Sequence, residues 1–582
     1  MKNNIFIRNV SIALIVSLGC SVAAWAQTEQ TDTVLTRNVV VEKDYQPVIQ
    51  PAKKVNIVPK QVQTHLEPAT VTYSDYSEPM KHVFNLHTLT ASGLRFVEPN
   101  INQGWLEVGG GYPATHLDFG YRLQAPKDVR INLFAQHDAE WGARTWAKSR
   151  VGMDFLKAFS ALNLYFDLDG NNTFYTRYGR YYDGDKKLSA KYSDLRRADK
   201  QHLWDVNVNV GVKARKGEAI QYRAQTGYTA FVLPSHTAEH IIRTHVDVYW
   251  QDDIQKAGAK LYVQNSFFSV DKSLQPDTLS YTSRHAIRFE PFYEYNSTNW
   301  FVHSGVNVNL NVGRGKLLSS NDNVSFAPSP NVQVEYRVIP TLLALHADAK
   351  GQFGYGTLKE FMTANPYRNP IRGLVSRHVT PYTPVDAGLG IKIRPVNTLY
   401  LDIYARYAVL NNQLTMCTPT LAQLQADKDT YLGYMYSRYD RWTVGLQLLY
   451  HYQDIVTLRL DGHYYHWSQL DMENTKGEVY DTKKVYDRPA WDANLRVDVN
   501  INRQWSLYSD NHIAGSRTAL LTDGSEEKLK PLVELNLGVK YKINSWMQVY
   551  AQLNNFIHRY NDLYYGYQTQ GINAQVGFRW NF

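Results

Sequence analysis

Two histidines three positions apart, His463 and His466 in GHYYHW, come nearest in this sequence to a metal pair. Two imidazoles hold one cation only when they share a face. In a strand, positions i and i+3 point to opposite faces. The pair therefore reads as girdle or loop-base residues. DLDGNN gathers Asp167, Asp169, Asn171 and Asn172, oxygen-rich side chains that could touch a cation where a strand enters a loop. The Glu that completes an EF-hand loop is absent, and an ordinary strand-to-loop turn accounts for the run. GGGYP at Gly109–Pro113 ends a strand and begins a tight loop; it is not a phosphate cradle. No G-x-S-x-G, H-E-x-x-H, G-x-x-x-x-G-K-[ST] or CxxC motif occurs. The sequence gives no catalytic, cofactor or metal assignment, and the chain reads as a non-enzyme.

Cysteine chemistry is equally spare. Cys20 and Cys417 are the two cysteines. The first lies in a leader: Lys2 and Arg8 form a basic n-region, Val10–Ala24 an apolar core, and Ala24-Trp25-Ala26 a cleavage site. The expected signal peptide is 1–26. A rival lipoprotein cut before Cys20 meets Ser17 where a bulky aliphatic belongs. Cleavage after Ala26 would leave Cys417 alone, with no intrachain disulfide. It would also take the formal net charge from +8 to +6. So small a charge on so long a chain does not call for a nucleic-acid partner.

The elements that would position any site are strands. Tyr 42, Phe 21 and Trp 13 make the chain 13% aromatic. Tyr and Trp suit a membrane–water interface. Strict alternation recurs: Val302, Ser304, Val306, Val308, Leu310 and Val312 oppose His303, Gly305, Asn307, Asn309 and Asn311. Trp491–Val499 and Leu162–Leu168 repeat it. The last segment, GINAQVGFRWNF, sets Val576, Phe578, Trp580 and Phe582 against Gln575, Gly577, Arg579 and Asn581. These segments run to about the length a tilted strand needs to cross a bilayer.

About 22 such segments follow one another over 103–582. Short connections (such as Asp252–Gln255, Ser297–Asn299 and Ile543–Ser545) alternate with long ones (such as Asn171–Gln201, Gly354–Thr383 and Asn411–Arg438). No apolar run beyond the leader is long enough for a spanning helix. A chain of strands satisfies its backbone in lipid only as a closed barrel. The expected fold is all-β: a transmembrane antiparallel up-and-down barrel, with short periplasmic turns and long extracellular loops, in an outer membrane of Gram-negative type. Outer-membrane lipid is then one partner.

The stretch Pro531–Phe582 resembles the C-terminal end of a TonB-dependent receptor barrel. The resemblance rests on ELNLGVKYKIN, QVYAQLNNFIHRYNDLYYGY and the final strand. It implies 22 strands and a plug of well over 100 residues. It also implies a short N-terminal strand, the TonB box, that pairs with a TonB-like periplasmic protein. Phe578, Trp580 and Phe582 resemble the terminal signal read by the outer-membrane barrel assembly machinery. The front departs from the family: 27–102 is only 76 residues and carries Pro47, Pro51, Pro59, Pro68 and Pro79. Such spacing favours extended chain, and the full plug has no room. Val39, Val40 and Val41 could form a partner-docking strand by β-augmentation, or belong to a tail lying in the lumen. Two functions stay open: solute or nutrient transport gated by 27–102, and a non-transporting barrel that is a subunit or scaffold of an envelope complex.

Overall fold

The computed structural model describes 103–582, apart from 142–144, 177–199, 216–219, 234–236, 270–282, 313–323, 366, 368–380, 421–431, 474–478 and 481–483. The leader, the 27–102 segment and the Val39–Val41 strand lie outside the described residues. Twenty-two strands form one closed wall. The first eight are β1 (Gly104–Tyr112), β2 (Ala114–Leu123), β3 (Val129–Glu140), β4 (Trp146–Ala158), β5 (Leu162–Thr176), β6 (Lys200–Ala214), β7 (Ile220–Val232) and β8 (Ala238–Gln251). Then come β9 (Gln255–Ser269), β10 (Arg284–Asn296), β11 (Trp300–Val312), β12 (Val324–Ile339), β13 (Leu343–Phe353), β14 (Tyr382–Val396) and β15 (Leu399–Thr418). The wall ends with β16 (Gly433–Tyr452), β17 (Val456–Glu473), β18 (Trp491–Asn500), β19 (Trp505–Ala514), β20 (Leu532–Lys542), β21 (Met547–Asn554) and β22 (Asn573–Asn581).

Each strand pairs antiparallel with its sequence neighbours, and β22 pairs with β1 to close the ring. Closure leaves no edge with unpaired backbone groups. Gly104 N–H donates to Phe582 O at 2.8 Å and Phe582 N–H returns to Gly104 O at 2.9 Å. The Phe582 ring stacks on Tyr121 of β2 with centroids 6.0 Å apart. The closing strand shows how alternation sorts the two faces: Gln575 is 2% exposed and its neighbour Val576 is 64% exposed. Phe578, Trp580 and Phe582 point outward with Val576. On β16 the outward rings of Trp442 and Tyr452 lie ten positions apart. At a strand rise of ~3.3 Å per residue this is ~33 Å along the strand, and a tilt of about 35–45° makes it roughly 25 Å of wall height, the apolar band expected between two aromatic girdles.

The long connections proved shorter than their composition suggests. DLDGNN lies inside β5, which runs on to Thr176, so the strand-to-loop turn expected there is corrected. The expected loop Asn411–Arg438 shrinks because β15 runs to Thr418 and β16 starts at Gly433. These extensions show little alternation because both of their faces are covered. Met416 and Tyr434 pack inward, while Cys417 packs with Leu520 and Tyr486. The covering element is a hairpin, Arg517–Leu521 with Glu526–Leu529, that folds back along β15. Period two is visible only where the two faces meet different surroundings.

Candidate functional site at the barrel mouth

The connection after β13 turns into the barrel. Gly356 takes φ +60°, a left-handed turn suited to glycine. Thr357 then caps a short helix, α1 (Leu358–Ala364), in a reciprocal box: Thr357 Oγ1 accepts from Glu360 N–H at 3.0 Å, and Glu360 Oε2 accepts from Thr357 N–H at 3.3 Å. The sequence carried this signal as TLKE. A single capping box inside a long polar connection does not by itself mark a helix.

Helix α1 is held from both sides of the ring. Lys359 Nζ donates to Asp205 Oδ2 at 2.8 Å and to Asn207 Oδ1 at 3.2 Å, both on β6. Its N–H donates to Glu239 Oε2 of β8 at 3.0 Å. Arg284 and Arg288 of β10 donate to Gly356 O (2.6 Å) and Phe353 O (3.0 Å). Facing these, Asn365 reaches Met416 of β15. Leu432 N–H donates to Tyr367 O, and Phe361 meets Tyr434 of β16 edge-on at 5.4 Å. In a ring of 22, β6 and β15–β16 are nearly opposite. The loop therefore bridges the mouth.

Its underside is apolar, which is unusual for an outer-membrane barrel lumen. Leu358, Phe361 and Met362 are fully buried with Tyr175, Leu203 and Phe231 on one wall and Tyr434 and Tyr436 on the other. Burying a side chain of this size contributes ~1.5–3 kcal/mol, so three of them favour the inward position. A second inward element, around Asp562–Gln568, joins the same cluster through Leu563, Tyr564 and Tyr567. The Tyr567 ring lies tilted against Tyr367 with centroids 5.3 Å apart, and Arg517 donates to Leu563 O at 2.9 Å and to Asp562 O. In the neighbouring loop, burial pushes the Asp487 carboxyl up to about 6, against the pull of Arg517 and Arg488.

The sequence candidates fall into place around this mouth. Asp169 and Asp205 share the side-chain amides of Asn171 and Asn207, at 2.7 to 3.0 Å. Lys359 completes the group through Asp205 and Asn207, so the loop is anchored on β6 and DLDGNN supports that anchor through Asp169 and Asn171. Its acidic partner on β6 had no signature of its own. His463 faces inward, bonded to Asp492 Oδ1 (2.8 Å) and Tyr404 Oη (3.0 Å), while His466 faces outward, as strand parity requires. Among the described residues, no group of three or more His, Cys, Asp or Glu side chains is arranged to hold a metal.

Below the mouth the wall carries paired charges. Arg406 of β15 grips Asp348 with two bonds of 2.9 and 2.8 Å and Asp386 with one of 2.8 Å. Arg441 of β16 meets the other oxygen of Asp386 at 3.1 Å. Lys392 and Arg337 share Glu335, and Lys260 pairs with Glu290.

The barrel has solved counterparts. Its fold is that of siderophore- and metal-receptor barrels. The siderophore receptor PiuA from Acinetobacter baumannii is similar at 10% identity over 82% of each chain, with a TM-score of 0.58. The FrpB iron transporter from Neisseria meningitidis is similar at 8% identity over 83% of this chain and 81% of its own, with a TM-score of 0.61. The copper transporter OprC matches at 10% identity over 82% of each chain, with a TM-score of 0.56. No family model and no curated protein matches the sequence. The resemblance first visible at Pro531–Phe582 therefore extends, as fold, around the whole ring.

Proposed function

We propose that this chain is an outer-membrane transporter that admits a solute through its lumen, with the α1 loop as the outer gate. The observation that carries this reading is the loop pinned from β6 to β16 across the mouth, on an apolar core inside a polar lumen. A barrel this wide leaks unless it is closed. The bonds at the two ends of the loop are made to separate sides of the ring. The cargo we assign by analogy with the similar barrels is a chelated transition metal. Segment 27–102 acts as the inner gate, and Val39–Val41 as the strand that a TonB-like protein pulls. Phe578, Trp580 and Phe582 form the assembly signal, offered on the outer face of the last strand.

Cellular metal content tests the reading. Cells that make the chain should accumulate several-fold more iron or copper, by mass spectrometry, than cells that lack it. The double substitution V39D/V41D should remove the gain while the barrel still assembles. Unchanged metal content with a folded barrel in the membrane would overturn the reading in favour of a scaffold.

A further inference from the structure

At the seam where the first strand meets the last, three buried polar atoms on neighbouring inward positions lack hydrogen-bond partners. They are Glu107 Oε1 on β1, His116 Nε2 on β2 and Tyr550 Oη on β21. Their residues are 1%, 5% and 4% exposed. Leaving such atoms unsatisfied costs ~1–3 kcal/mol each, and three together call for a common partner.

The surroundings are built to aim them. Gly109 and Gly577 sit side by side on β1 and β22. A Cβ on either would collide with the Tyr550 ring or hydroxyl. The two glycines therefore let the tyrosine lie flat across two strands and carry its hydroxyl toward β2. His116 stands directly beside Gly109 across the ladder. Its Nδ1 is bound to Asp138 Oδ1 at 2.6 Å, which fixes the ring and turns Nε2 toward Glu107. A carboxylate on the far nitrogen is how metal-binding histidines are usually oriented. Glu107 is held in turn, its Oε2 accepting from Arg579 at 3.3 Å.

We propose that Glu107 Oε1, His116 Nε2 and Tyr550 Oη form a site for a divalent first-row transition cation such as Zn2+. Nε2 and Oε1 are 3.8 Å apart. Metal–nitrogen and metal–oxygen bonds of about 2.0–2.2 Å span that gap at a wide angle. One nitrogen and two oxygens are a donor set such ions accept. The cation would clip β1 and β2 to β21 across the closing seam. This site is separate from the mouth gate and does not rest on the transport reading.

The test is Zn2+ titration of the purified full chain in detergent, after chelator treatment, followed by calorimetry. Co2+ absorption reports the ligand field. One Zn2+ per chain should bind at the site and be lost in H116N. D138N should weaken it about 10–100-fold by freeing the imidazole. Y550F keeps the ring over both glycines, so it folds if the packing is sound. It should alter the Co2+ spectrum and weaken binding. H463N, whose imidazole is already bonded at both nitrogens, should bind as the parent does. Equal binding by the parent, H116N and Y550F would overturn the proposal. So would no binding by the parent, which would make His116 an ion-paired imidazolium or a ligand of water alone.

Discussion

A chain lacking 27–102 and carrying a short Gly-Ser linker in place of 357–365 will conduct in planar bilayers as a wide, steady pore. The full chain will be nearly silent, and each single removal will conduct far less than the double one. The argument is one of gates in series. The α1 loop bridges the mouth from Asp205 and Glu239 to Met416 and Tyr434. The linker removes the Lys359 bonds and the Leu358, Phe361 and Met362 contacts together, leaving only the flanking bonds at Phe353, Gly356 and Tyr367 to hold the segment. Deleting 27–102 removes the proposed inner gate. The double removal should raise conductance by an order of magnitude or more over the full chain. A double variant as silent as the full chain, with its barrel folded, would mean the loop is not what closes the lumen.

Asp386→Leu will destabilise the barrel by about 3–5 kcal/mol, the cost of breaking a buried ion pair by removing one partner. Asp386 is fully buried and holds two guanidiniums, Arg406 at 2.8 Å and Arg441 at 3.1 Å. Arg441 is almost as deeply buried and would lose its carboxylate outright. Asp348→Leu is the internal control. It takes two bonds from Arg406 but leaves Asp386 in place, and Asp348 is the more exposed side chain. Its effect should be clearly smaller. Urea unfolding of the barrel refolded in lipid vesicles measures both. A loss below about 1 kcal/mol for Asp386→Leu would show that the lumen solvates these arginines without it, and an equal loss for Asp348→Leu would show that burial of the carboxylate does not set the cost.

The wall was legible because the bilayer writes a strong pattern. Lipid on one side and a polar lumen on the other force alternation, as Val576 and Gln575 display. Strand number and closure followed from that rhythm and from the alternation of short and long connections. The mouth was far less legible. Its helix is seven residues long and its apolar side chains, Leu358, Phe361 and Met362, are too few to show a period. The upper parts of β15 and β16 are covered on both faces, so they read as loop. DLDGNN shows its oxygens in the sequence, but the group they belong to is completed by Lys359, which bonds Asp205 from 154 positions away. The Glu107–His116–Tyr550 group was invisible for the same reason. Its members come from β1, β2 and β21, and only closure of the ring brings them together.

The position of the loop is the central claim, and thiol labelling reads it directly. In a Cys417→Ser background, Met362→Cys and Thr363→Cys place a thiol on two different faces of α1, about 100° apart around its axis, the first buried and the second exposed. The purified chain in detergent is treated with a water-soluble maleimide that can enter from either end. With the loop seated in the mouth, the thiol at 363 labels quickly and the thiol at 362 stays protected until the chain is denatured. Equal, rapid labelling at both positions in the folded barrel would place the loop outside the lumen and contradict the account.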